Sequence, residues 1–196
     1  MSQPRTGFNA RLRQLDVRQR IAFMAALSER LLPNYALYAG MSGNGDPRVL
    51  NNVLDLVWER LKVKSAKIDF DKQAEKLAEA EPPEADDSFG ARRATESIMA
   101  LTTLLDALRG EAPEAMLEVS QVSRDGVRAM IEMSEGSEDA EQLEALFREH
   151  ALMQDERDFQ DAVLEAVEQD PSLADLTALR RLGRNQGVSN LGLALD

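Results

Sequence analysis

The sequence contains no cysteine and a single histidine, His150. The absence of cysteine excludes disulfide bonds, thiolate nucleophiles and metal sites built on thiolates. No histidine or carboxylate lies three or four positions from His150, so a helical metal-ligand pair is also excluded, and no serine occupies a Gly-x-Ser-x-Gly turn. We therefore expect no metal and no cofactor, and we interpret His150 as a surface or helix-boundary residue.

Long hydrophobic runs are missing as well. The longest, residues 21–27, contains seven apolar residues, whereas a membrane-spanning helix needs about 20. Residues 1–8 lack the apolar segment of a signal peptide. These features predict a cytoplasmic protein without membrane insertion.

Positive charge is scarce, since 23 lysines and arginines face 35 acidic residues and the net charge is -12. A field of that sign repels phosphate backbones, so we expect no nucleic-acid partner. The first 30 residues nevertheless hold six arginines and only two acidic residues. They could attract the acidic stretches 69–87 and 135–170 within the fold, or they could form a basic docking surface for an acidic partner.

The dominant pattern is the recurrence of apolar residues at intervals of three and four, without period-two alternation. This pattern predicts an all-α fold, a multi-helix bundle of about eight helices. The length fits a single domain over residues 1–196. An acidic, proline-rich connection is expected near residues 81–88.

Two of the predicted helices should lie at the centre of the bundle. The run 21–27 presents apolar atoms on every side of a helix, which places the helix over 17–32 in the interior. The helix over 47–62 has an apolar arc wider than half its circumference, with Trp58 inside it. We therefore expect Trp58 to be buried.

Several helix ends can be predicted from local motifs. Asp16 and Gln19 have the spacing of a capping box, and Asp46-Pro47 combines a carboxylate cap with proline at the first helical position. Pro33 predicts a kink or an end of the first central helix, because it lacks a backbone N–H.

Two further segments should interrupt or begin helices. The glycine-rich segment 40–45 predicts a loop, and it lacks the lysine of a phosphate-binding loop. Pro171 predicts the first turn of the last helix, which would end near Gly183.

Short motifs along the chain carry a family resemblance. They are Phe23-Met24-Ala25, Pro33-Asn34-Tyr35-Ala36, Leu54-Asp55-Leu56, Trp58-Glu59, Phe70-Asp71 and Ser189-Asn190. These segments resemble the YjaG-like family, a bacterial domain-of-unknown-function family, most specifically over residues 20–76. The resemblance implies an all-helical, single-domain protein and brings no catalytic residue or ligand. It also suggests a partner in histidine-kinase signalling.

Arg60 is an anomaly, because it falls on the apolar arc of its predicted helix with no carboxylate three or four positions away. A buried guanidinium needs a partner or a route to solvent. We expect an ion pair with Glu29 near the end of the other central helix, and a reciprocal contact of Arg30 with Glu59 or Asp55. These five residues could form a structural network or line a small polar site.

A second candidate site is the basic cluster Arg180, Arg181 and Arg184, which could bind an anion or an acidic partner. Two functions follow from the residues. The missing catalytic chemistry favours a non-enzymatic protein-interaction module such as a signalling adaptor. The clustered carboxylates at positions 29, 55 and 59 would instead suit an acid–base or metal-assisted enzyme. A deep polar pocket would favour the enzyme, and an exposed apolar groove would favour the module.

Overall fold

The computed structural model describes residues 6–195, and within that range the chain forms nine α-helices and no β-strand. The helices are α1 (Phe8–Gln14), α2 (Val17–Ser42), α3 (Pro47–Lys62), α4 (Phe70–Glu79), α5 (Phe89–Arg109), α6 (Ala115–Glu135), α7 (Ala140–Glu149), α8 (Ala151–Gln169) and α9 (Leu176–Arg184). The all-α prediction is confirmed. Part of the segment in which no signal peptide is expected, residues 1–5, lies outside the described residues.

The centre of the molecule is α2, which contacts α3, α5, α6, α8 and α9. Every residue from Ile21 to Leu32 is buried, and none of residues 21–27 is more than 3% exposed. The predicted burial of this run is therefore confirmed. Helix α3 packs along α2 and keeps Asp55 and Glu59 on its exposed side.

The predicted helix starts at Asp16 and Asp46 are also confirmed. The Asp16 carboxylate accepts from the backbone N–H of Gln19 at 2.8 Å, and the Gln19 side chain accepts from the backbone N–H of Asp16 at 2.9 Å. The Asp46 carboxylate accepts from the backbone N–H of Arg48 at 3.0 Å. Both caps satisfy donors that would otherwise be unpaired at a helix start.

Of the two alternatives predicted at Pro33, a kink or an end of the first central helix, the end is wrong. Helix α2 continues through Pro33 to Ser42 and ends only at Gly43, which has a left-handed backbone with φ of 70°. Pro33 removes one backbone hydrogen bond, but the following turns bury Tyr35 and Tyr38 in the core. Burial of these large side chains outweighs the local preference. Residues 40–42 of the predicted loop over residues 40–45 are therefore helical, and only residues 43–45 lie outside a helix.

The predicted start of the last helix is wrong as well. Pro171 lies in a turn, and α9 begins at Leu176 after Asp175, whose carboxylate accepts from the backbone N–H of Ala178 at 2.9 Å. Leu173 is buried and has a positive φ of 51°, which is incompatible with a right-handed helix at that point. Because Leu173 is buried in this backbone conformation, the helix begins only after it, at Leu176.

His150 separates α7 from α8, as expected of a helix-boundary residue. Its Nδ1 accepts from the backbone N–H of Leu152 at 3.1 Å, which caps α8. Beside it, a small apolar cluster that includes Phe147, Met153 and Leu191 joins α7 and the C-terminal segment to α6. No helix within residues 6–195 is both long and apolar enough to cross a membrane.

The arginine-rich N-terminal segment is used largely within the fold. Arg11 pairs with Glu168 at 2.6 Å, and Arg13 pairs with Glu114 at 3.0 Å. Arg18 donates to the carbonyl of Ser172. These contacts support attraction between helices as the role of this segment, whose arginine at position 5 lies outside the described residues.

Candidate functional site

Helix α9 approaches α2 closely at a glycine. Gly183 is buried, and a Cβ atom at this position would lie only 2.7 Å from the carbonyl oxygen of Ala26. Only glycine allows the two helices to come this near to each other. The contact brings Arg180 and Arg184 of α9 within reach of Glu29 on α2.

Glu29 is a buried carboxylate with three N–H donors. The indole Nε1 of Trp58 donates to its Oε1 at 2.9 Å, and Arg180 Nε donates to the same oxygen at 2.5 Å. Arg184 Nε faces Oε2 at 3.5 Å. These donors compensate for the loss of solvent around the charge. The predicted burial of Trp58 is confirmed, since its exposed fraction is 5%.

Arg180 links three helices. It contacts Glu29 on α2 and also donates to the carboxylate of Asp55 on α3. Its guanidinium carbon lies 5.8 Å from the centre of the Trp58 ring. Burial by itself would lower the pKa of Arg180, but the hydrogen bond to Asp55 and the attraction of Glu29 together raise it. The guanidinium therefore stays charged and holds α9 against α2 and α3.

The expected ion pair between Glu29 and Arg60 is wrong, because Glu29 is paired with arginines of α9. Arg60 is half-buried and forms no ion pair with any residue between 6 and 195, and neither does Glu59. The close approach at Gly183 brings in a third helix, whose Arg180 and Arg184 contact Glu29 in place of Arg60.

The expected contact of Arg30 with Glu59 or Asp55 is also wrong. Arg30 Nη1 donates to Glu156 of α8 at 3.0 Å, and its guanidinium carbon lies 4.1 Å from the centre of the Phe159 ring. Successive residues on a helix point about 100° apart. Arg30 therefore faces away from the arginines of α9 that contact Glu29.

Glu156 is the centre of a second buried network that sequence analysis missed. Besides Arg30, it accepts from Ser123 Oγ and from Gln160 Nε2, both at 2.6 Å. Burial raises the pKa of Glu156, and the Arg30 charge and these hydrogen bonds oppose the shift. The sequence gives no signal for the burial of Glu156, because it lies in an acidic segment and most of the acidic residues around it are exposed. Glu156 is fully enclosed and has no contact with solvent.

The exposed face of the first network lines a cleft of about 550 Å³ between α3 and α9. Its lining residues are Asp55, Trp58, Glu59, Lys62, Leu176, Thr177, Arg180, Arg181 and Arg184. We call this region the α3–α9 cleft. The fold thus combines most of the predicted polar network with the predicted arginine cluster at one place, and leaves out Arg30 and Arg60.

The α3–α9 cleft offers charge recognition. Lys62 and Arg181 are exposed and form no ion pair with any residue between 6 and 195. Within the same range, no three histidine or carboxylate side chains are grouped closely enough to hold a metal ion. The arrangement can therefore bind acidic groups over a buried aromatic floor.

Comparison with known proteins identifies the family. The model of a family described as "Protein of unknown function (DUF416)" matches residues 7–194. The protein named "Uncharacterized protein YjaG" from Escherichia coli (strain K12) is 38% identical over 189 residues, covering 93% of this chain and 94% of its own. A relative from Haemophilus influenzae is 35% identical over 196 residues, covering 96% and 97% of the two chains.

A solved structure agrees with this fold. The crystal structure of a DUF416 family protein from Shewanella baltica OS155, at 1.91 Å resolution, matches with a TM-score of 0.91 and 31% identity. The match covers 97% of this chain and 100% of that chain. The resemblance seen in the short motifs is confirmed over nearly the whole length, and the chain belongs to the DUF416 family.

Proposed function

We propose that this chain is a single-domain, cytoplasmic, non-enzymatic protein-interaction module, and that its α3–α9 cleft binds an acidic segment of a protein partner. The observation that carries the proposal is a pair of cations, Lys62 on α3 and Arg181 on α9, which line the same cleft and form no ion pair among the described residues.

The charged groups of the cleft differ in how far they are already engaged in ion pairs. Arg180 is already engaged by Glu29 and Asp55. Arg184 is 57% exposed along its side chain and lies 3.5 Å from Glu29, which leaves most of its donors available. Together with Lys62 and Arg181 it offers three cations to a ligand. Against them stands one lining carboxylate, Glu59, that has no ion pair in the part of the chain that the structure describes. In a chain of net charge -12, such a surface favours an acidic partner.

The floor of the cleft is already in place without a partner. Trp58 is held by its hydrogen bond to Glu29, and Arg180 is held by two carboxylates on different helices. Tryptophan and arginine dominate the energy of many protein interfaces, because they combine large contact area with directed hydrogen bonds. A fixed floor also reduces the entropy lost on binding.

A carboxylate-based enzyme at the same cleft has less support. Acid–base catalysis needs carboxyl groups free to exchange protons with a substrate. Both oxygens of Glu29 face N–H donors, and Asp55 is bound to Arg180. Within residues 6–195, Glu59 is then the single carboxylate of the cleft lining without such a partner, and Asp55, the other lining carboxylate, is occupied by Arg180.

The proposal is tested by quantitative capture of partners from the native cell with tagged protein. The cleft variant carries Lys62→Glu and Arg181→Glu. The matched control carries Lys72→Glu and Arg92→Glu, which are exposed residues outside the cleft and cause the same change in net charge.

We expect at least one acidic protein to be retained by the parent and by the control, and to be depleted about tenfold or more with the cleft variant. The family resemblance directs attention first to histidine-kinase signalling proteins. Identical sets of proteins captured with the cleft variant and with the parent would refute the proposal.

A further inference from the structure

A second cavity, of about 380 Å³, lies between α1, α6, α7 and α8. Four arginines line it together with two phenylalanines and two carboxylates: Arg124, Arg128, Arg148, Arg157, Phe8, Phe147, Glu144 and Asp161. We call this cavity the arginine pocket. It shares no lining residue with the α3–α9 cleft.

The two carboxylates of the arginine pocket are outnumbered by its four guanidinium groups. Glu144 pairs with Arg128 at 2.6 Å, and Asp161 lies 3.7 Å from Arg11, which is not part of the lining. The other three guanidinium groups of the pocket form no ion pair with any residue between 6 and 195. The chain as a whole has a net charge of -12, so an excess of positive charge in one concave site needs an explanation.

Aromatic rings hold two of the guanidinium groups in place. The Arg124 guanidinium carbon lies 4.9 Å from the centre of the Phe8 ring, and that of Arg128 lies 4.2 Å from the centre of the Phe147 ring. Stacking on a ring leaves the N–H edges of a guanidinium free for a ligand. The donors are therefore positioned before any ligand arrives.

Arg124 is the residue for which a ligand would matter most. Its Nε is buried without a hydrogen-bond partner among the described residues. Burial lowers the pKa of Arg124 and the positive charge of Arg157 lowers it further, while the negative charges of Glu156 and Asp161 oppose the shift. Arg157 itself stays close because its Nη1 donates to the carbonyl of Arg148 at 2.9 Å. Repulsion between these cations would be relieved by an anion bound between them.

We propose that the arginine pocket binds a small phosphomonoester, with Arg124, Arg128 and Arg157 donating to the phosphate oxygens. A phosphate dianion presents three oxygens, which suits several guanidinium groups better than a carboxylate with one charge and two oxygens. The volume fits a small ligand, which leaves room for the organic part of the ester.

The test is calorimetric titration of the full chain with inorganic phosphate and with glycerol 3-phosphate, at constant ionic strength set with chloride. Arg124→Met removes the charge and keeps an apolar stem beside Phe8. Arg92→Met is the matched control on the exposed surface, and Arg181→Met controls for binding in the α3–α9 cleft. Far-UV circular dichroism checks that each variant is folded, and Arg157→Met replaces Arg124→Met if the latter is not.

We expect the parent to bind one phosphate group per chain with a dissociation constant of about 1 mM or below. Arg124→Met should weaken binding about tenfold or more, while both control variants should stay within about twofold of the parent. The proposal is overturned if neither phosphate compound binds, if Arg92→Met or Arg181→Met weakens binding as much as Arg124→Met does, or if succinate binds as tightly as the phosphates.

Discussion

Removing the charge of Glu29 should weaken the junction of α2, α3 and α9, because this carboxylate accepts from residues of both α3 and α9. Glu29→Gln keeps the size of the side chain and an oxygen that can still accept from Trp58 Nε1. It removes the negative charge that Arg180 contacts at 2.5 Å and Arg184 faces at 3.5 Å. Arg180→Met removes the bridging cation and keeps the apolar stem.

The expected loss can be derived from the burial of the partners. Breaking a fully buried ion pair by removing one partner costs about 3–5 kcal/mol. The Glu29 side chain is 4% exposed, but that of Arg180 is 23% exposed, so solvent screens part of the interaction. We therefore expect Glu29→Gln to lower the free energy of unfolding by about 2–4 kcal/mol, and Arg180→Met by about 1–3 kcal/mol. The double variant should cost less than the sum by about 1–2 kcal/mol.

Urea unfolding followed by far-UV circular dichroism measures these free energies without relying on the emission of Trp58. A parallel cycle on Glu29 and Arg60 is the control, since these two residues form no ion pair. Their effects should add to within about 0.5 kcal/mol. Additive effects for Glu29 and Arg180, or coupling in the control cycle, would refute the stabilising ion pair between Glu29 and Arg180.

Further changes test other parts of the structure. Gly183→Ala should cost about 1–3 kcal/mol, because the new methyl group meets the backbone of Ala26 and must displace α9; urea unfolding measures the loss, and an unchanged stability would contradict the close approach. Trp58→Ala should cost about 3–5 kcal/mol, and the native emission of this single tryptophan should be blue-shifted, whereas freely quenched emission would argue against its burial. Burial raises the pKa of Glu96 from 4.5 to about 7, although Arg93 opposes the shift. The neutral carboxyl is therefore favoured in the folded state, so its contribution to stability is complete below pH 4.5 and is lost as the pH rises through about 7. With glutamine at position 96, the free energy of unfolding should fall between pH 5 and pH 8 by about 1 kcal/mol less than in the parent, after allowance for solvent screening. Equal slopes of the free energy of unfolding against pH in both proteins over this range would contradict the assignment.

Local features were predictable because they depend on neighbours along the chain. The caps at Asp16 and Asp46 form between residues two or three positions apart. The burial of Trp58 follows from the apolar arc of its own helix, and arcs of this kind are visible in the spacing of residues. The two prolines show the limit of such reasoning, since burial of Tyr35 and of Leu173 overrode their local preferences.

The sequence by itself determined that the chain is helical, which helices are buried, and which charged residues fall on or beside an apolar face, because these properties follow from composition and spacing. Only the tertiary structure decided the partners of those charges. Glu29 and Arg180 are 151 positions apart, and they meet because Gly183 lets α9 come close to α2. Long-range pairing depends on how helices cross, and the missing Cβ atom of Gly183, which is close to Arg180 and Arg184 in sequence but far from Glu29, lets α9 cross α2 at the short distance that the pairing needs.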